Sequence, residues 1–147
     1  MHAQAIGALQ IAFSSARALA VENPGLSGGP VTAGVVKFQI ALEDDEGEKT
    51  EIVFCEVEPY IVQRTPGLFR STHIRLVFRA HLPTPLDGYT LPLAIEISLR
   101  AKPADIDNEW AILVRKELQR ARSDCPPRWR KQEAKKQLQI LEQLRRD

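Results

Sequence analysis

Four stretches between residues 36 and 100 alternate apolar and polar side chains with a period of two, and this pattern constrains the fold more than any other feature. Successive side chains of a strand point to opposite faces, so each stretch predicts a strand. In the first, Val36, Phe38, Ile40 and Leu42 alternate with Lys37, Gln39 and Ala41. The second, Glu51 to Val62, is apolar on both sides, with Ile52 and Phe54 opposite Val53, Cys55 and Val57. That predicts a central strand, which Pro59 should end or bulge. In the third, Thr72, Ile74, Leu76, Phe78 and Ala80 face one way, and His73, Arg75, Val77, Arg79 and His81 face the other. In the fourth, Leu91, Leu93, Ile95, Ile97 and Leu99 alternate with Ala94, Glu96, Ser98 and Arg100, and Pro92 places its start near an edge. Asp44 to Glu48 include a glycine and predict a hairpin turn. Alternation of this kind suits an antiparallel sheet with one buried face.

Outside the strands the period changes to that of a helix. Ile6, Leu9, Phe13, Ala16 and Ala20 form one face of a helix over 3–21, which Asn23-Pro24-Gly25 ends. After Pro103, Asp105 or Asp107 can cap a helix lined by Ile106, Trp110, Leu113, Val114, Leu118 and Ala121. Residues 123–127 break it, and a last helix follows over 128–146 with Ala134, Leu138, Leu141 and Leu144 as its stripe. The expected class is α+β: an N-terminal helix on a four-stranded antiparallel sheet, then a C-terminal two-helix hairpin. Residues 1–104 would form the core and 105–147 the hairpin, within a single domain. The hairpin either completes the cover of the sheet or projects from it.

A chain of 147 residues suits one domain, and 44% apolar residues can build a real core. The net charge of +1 gives no global field toward nucleic acid or a membrane. The charge is unevenly placed, however. Residues 43–58 hold eight acids against Lys49, a net −7, and residues 115–136 hold nine bases against three acids, a net +6. Cys55 sits in an apolar run and Cys125 before two prolines, which is not a disulfide framework and suggests a reducing, cytoplasmic setting. No apolar run approaches the roughly 18 residues of a membrane span. Ala18-Leu19-Ala20 imitates a cleavage site, but no Lys or Arg precedes the apolar stretch, and Gln10, Ser14, Ser15 and Arg17 interrupt it. We read a helix there, and no membrane partner.

Catalytic motifs find no support. Gly25-Leu26-Ser27-Gly28-Gly29-Pro30 differs at one position from the Gly-Asp-Ser-Gly-Gly-Pro loop of trypsin-like proteases and fits the hydrolase elbow Gly-x-Ser-x-Gly. A serine nucleophile needs a base and oxyanion donors. Only His2 precedes Ser27, Leu26 replaces the Asp, and the order helix, loop, strand reverses that of an elbow. Four glycines between 25 and 34 make the segment a flexible turn. His73 and His81 share a face but lie roughly 27 Å apart along one strand, too far to share a metal. No Walker lysine follows the glycines, and adjacent acids on a turn do not make a glycosidase pair. We expect no enzyme, no cofactor and no metal.

Two binding surfaces remain. Arg75 and Arg79, with Arg115, Arg120, Arg122 and the basic stretch 115–136, could meet nucleic acid. A sheet reader for RNA would also need exposed aromatics for stacking, and none interleaves on this face; Glu56, Glu58 and Glu96 can pair with the arginines instead. The stronger signal is "PPRWRKQEAKKQLQILEQLRR": Arg128, Trp129, Arg130, Lys131 and Lys135 beside Leu138 and Leu141 make a basic, leucine-striped helix suited to docking a protein partner or a second copy. Bases at a helix start oppose its dipole, which favours an acidic surface as their target. The chain's own acidic hairpin is one such surface.

Residues 5–83 resemble the small α+β trypsin-co-occurring domains of bacterial conflict systems. The likeness lies in "AIGALQIAFSSARALA", in the alternating "VVKFQIAL" and in "STHIRLVF" just before Pro83. Residues 84–147 depart from that compact pattern. The resemblance implies a non-catalytic accessory or adaptor module and carries over no active-site residue. The expected function is therefore protein–protein interaction, with nucleic-acid binding as the alternative.

Overall fold

A computed structural model describes residues 2–23, 34–44, 46–65, 67–83, 86, 88–123 and 131–145. Four strands, β1 (Val36–Glu43), β2 (Lys49–Arg64), β3 (Ser71–His81) and β4 (Thr90–Ser98), pair in chain order as an antiparallel meander. The register sets Ile40 against Val53, Val57 against Phe78 and Ile74 against Ile97, so the apolar parity of all four strands collects on one face. Those side chains are buried. The turn between β1 and β2 is held by Asp44, whose carboxylate accepts the N–H groups of Glu46 and Glu48, and by Gly47 at φ 84°.

Pro59 neither ends nor bulges β2. The strand passes through it to Arg64, with Pro59 opposite Leu76. The register supplies the reason. Pairing between β1 and β2 stops at Val36–Val57, so beyond that point one edge of β2 is free, and an N–H missing from a free edge costs no ladder bond.

Three helices cover the apolar face: α1 (His2–Glu22), α2 (Pro103–Ser123) and α3 (Lys131–Arg145). Helix α1 lies on β1, β2 and β3, α2 meets β4, α3 meets β1, and each helix touches the other two. Ala5, Ala8, Ala12, Ala16 and Ala20 line the buried side of α1, where short side chains let the helix axis approach the sheet. Trp110 of α2 is fully buried and lies 5.2 Å from the Phe78 ring. Burying large aromatics of this kind contributes about 1.5–3 kcal/mol each. Helix α2 opens with Pro103 in its first turn, and the Asp105 carboxylate reaches back to the Lys102 N–H at 2.8 Å, half of a capping box. Asp107 does not cap. It accepts from Gln10 Nε2 at 3.1 Å and ties α2 to α1.

The C-terminal hairpin completes the cover rather than projecting. Ile140, Leu141 and Leu144 belong to the same core cluster as the sheet and α1, and Leu138 packs against it. Leu141 is therefore not available as a docking residue: the leucine stripe of α3 is needed to seal the sheet. Glu43 anchors the helix to the β1 edge. Its N–H donates to Gln143 Oε1 at 3.2 Å, and its carbonyl accepts from Gln143 Nε2 at 2.7 Å. A single side-chain amide thus stands where the next strand would pair.

Candidate functional site

The opposite face of the sheet carries none of the three helices, and its side chains are ordered by the same register. Lys37, Glu56, Arg79 and Pro92 follow one another across the four strands, as do Tyr60, Arg75 and Glu96 across the last three. The charges are matched in place. Glu96 receives Arg64 at 2.9 and 2.5 Å and Arg75 at 3.4 Å. Glu58 faces Arg79 at 3.8 Å and accepts the Tyr60 hydroxyl. Glu56 faces His81 at 3.4 Å, and His73 bonds Ser71 Oγ at 3.0 Å. The hydrogen bonds and charge of Arg64 hold the Glu96 carboxyl below the ordinary glutamate range. The same bonds push the Arg64 guanidinium above its usual value.

Two aromatic side chains do stand among these charges, contrary to the sequence reading of this face. Phe54 sits opposite His81, and Tyr60 opposite Arg75, both contributed by the neighbouring β2. Phe54 is 57% exposed and Ile52 beside it 56%. Two shallow cavities meet at Gln39 along this end of the sheet. One, of about 300 Å³, lies over Lys37, Gln39, Phe54, Glu56 and His81. The other, of about 330 Å³, runs around the β1 edge past Gln4, Ala41, Glu43, Lys49 and Ile52. The acidic β1–β2 turn borders this end, with Glu46 and Glu48 exposed.

The opposite end of the sheet is different. The β2–β3 connection presents Leu68 at 96% and Phe69 at 79% exposure, the two barest large apolar side chains described. Arg64 and Arg70 flank them in sequence, and Arg100 follows β4 beside the base of the same turn, where the Leu99 N–H bonds the Thr72 carbonyl. One end of the sheet is thus an apolar patch beside acids, and the other an apolar protrusion beside bases.

The residues singled out from sequence fall in several places. Arg128, Trp129 and Arg130, like Ser27, lie outside the described residues. Lys131 opens α3, Lys135 is exposed, Leu138 is half-buried and Leu141 is buried. Of the candidate nucleic-acid contacts, Arg75 and Arg79 face Glu96 and Glu58, Arg120 pairs with Glu117 at 2.7 Å, and Arg122 with Glu142 at 2.6 Å. Arg115 is exposed on α2. The sequence reading missed Arg64, Ile52, Phe54, Leu68 and Phe69 as surface residues.

Reactive groups are placed as follows. Cys55 is buried, and burial pushes its thiol up to about 12, so it stays protonated and poorly nucleophilic near neutral pH. Among the described residues no three His, Cys, Asp or Glu side chains are grouped to hold a metal ion, and no helix is long and apolar enough to cross a membrane. No protein-family model, no curated protein and no solved structure matches the chain.

Proposed function

We propose that the chain is a non-catalytic protein-interaction module that engages its partner through the helix-free side of the sheet, at the end marked by Ile52 and Phe54. The observation that carries this reading is the exposure of those two side chains over paired shallow cavities. Burying each against a partner would contribute about 1.5–3 kcal/mol. Large apolar side chains clustered on a surface and rimmed by charge mark contact sites. The resemblance of residues 5–83 to trypsin-co-occurring domains supports the same adaptor role. A cytoplasmic setting suits a chain whose described cysteine is a buried free thiol.

The basic C-terminal helix enters this proposal only through its outer charges, because its leucines serve the core. Nucleic-acid contact through Arg75 and Arg79 is the weaker reading. Glu58 and Glu96 face those arginines, and an incoming phosphate would have to displace or repel them.

The test is affinity capture from the host lysate with the full chain, Phe54→Asp and Lys135→Glu. The proposal expects at least one protein that Phe54→Asp loses and Lys135→Glu retains. Loss with Lys135→Glu alone would return the contact to the last helix and contradict the proposal.

A further inference from the structure

We infer that the partner is a second copy of this chain, seated head to tail, with the Leu68–Phe69 tip of one copy in the Ile52–Phe54 patch of the next. The inference rests on reading the Ile52–Phe54 end as a docking surface, and it names the occupant.

Three properties of the two ends match. The first is shape. Leu68 and Phe69 are 96% and 79% exposed, so few atoms surround them and they protrude, whereas the patch at the other end carries two shallow depressions that meet at Gln39. The second is polarity. Both surfaces are apolar at the centre and charged at the rim, as a desolvated contact requires. The third is charge sign. Arg70 and Arg100 beside the tip are exposed and carry no ion pair among the described residues. The patch end is mixed in charge but net acidic among the described residues: Glu43, Asp44, Glu46, Glu48, Glu51 and Glu56 outnumber Lys37 and Lys49, which line the cavities, and Lys136, which pairs with Glu51. The bases of one end complement the acids of the other.

One molecule cannot satisfy itself. Phe54 and Arg64 are ten residues apart on the same strand, roughly 33 Å at strand rise, and the tip lies beyond Arg64. The tip and patch of one copy are therefore too far apart to meet, and only another copy can join them. The contact pairs two different surfaces, so each added copy leaves one tip and one patch free. Such a contact generates a ring when its rotation closes and an open chain when it does not.

The experiment is light scattering after size-exclusion chromatography across a concentration series. It compares the full chain with a tip variant (Leu68→Asp and Phe69→Asp) and a patch variant (Ile52→Asp and Phe54→Asp). All four side chains are exposed, so the variants should keep their fold, checked by thermal melting followed by circular dichroism. The wild-type mass should rise with concentration and fall when salt is added. Each variant should stay monomeric. An equimolar mixture of the two should form a dimer and nothing larger, because one intact tip meets one intact patch. A wild-type chain that stays monomeric throughout overturns the inference, as does an associating wild type whose two variants fail to complement. If the wild type is monomeric but the patch variant still loses a captured protein, the docking surface stands and its occupant is a different protein. If the patch variant changes neither measurement, both proposals fall.

Discussion

Glu96 lies between Arg64 and Arg75 on the helix-free side of the sheet, and its hydrogen bonds to Arg64 lower its pKa most. A carboxyl whose folded pKa is depressed adds stability above its unfolded value and loses it as pH falls through the folded one. Both side chains of the pair are partly exposed, so solvent limits what it adds. Arg64→Ala should raise the Glu96 titration toward the ordinary glutamate value, seen by NMR as its carboxyl resonance shifts with pH. A Glu96 titration unmoved by Arg64→Ala would show that the geometry of this pair is not what holds the proton off. Strand alternation already offers Glu96 as a cross-strand partner for the β3 arginines, and Arg75 meets it, but it does not reveal Arg64, which comes after the point where Pro59 is expected to stop the strand and joins Glu96 only because β2 continues.

Among the elements, β1 and α3 depend on each other through Gln143. Its amide meets both the N–H and the carbonyl of Glu43, and Gln139 adds a weaker contact to the same carbonyl at 3.4 Å. An edge strand exposes unpaired backbone groups, and this end of β1 is closed by a side chain that imitates a peptide group. Gln143→Ala removes the partner of that N–H and leaves the carbonyl only the weaker Gln139 contact, in a half-buried site. The expected cost is about 1–3 kcal/mol in chemical denaturation, with faster amide exchange at Glu43. An unchanged midpoint would contradict this account of the edge. The strands and the helical faces were legible in the sequence because burial on one side imposes a period of two or of about 3.6. Which sides a second layer covers was not legible. Ile52 and Phe54 read as the far side of a central strand, yet all three helices lie on the other face. The leucines of α3 read as a docking stripe, yet a core-facing and a partner-facing stripe have the same spacing.

At the scale of the whole molecule, the sheet sets an axis. Acids and an apolar patch lie at the β1–β2 end, and bases and an apolar tip at the β2–β3 end, separated by most of the length of β2. Periodicity does not reveal this arrangement, because Leu68 and Phe69 belong to a turn and gain meaning only from where the meander places them. The helical layer serves a different purpose: it buries one face of the sheet and leaves the other open. The central claim is that contact is made through the ends of the sheet and not through the helices. The most direct measurement is the amide NMR spectrum of the labelled full chain at increasing concentration. Shifts confined to Ala41, Ile52 and Phe54 at one end and to Leu68, Phe69 and Arg70 at the other are the predicted result. Shifts confined to α1 and α3, or a spectrum that does not change with concentration, would contradict contact between copies at the two sheet ends.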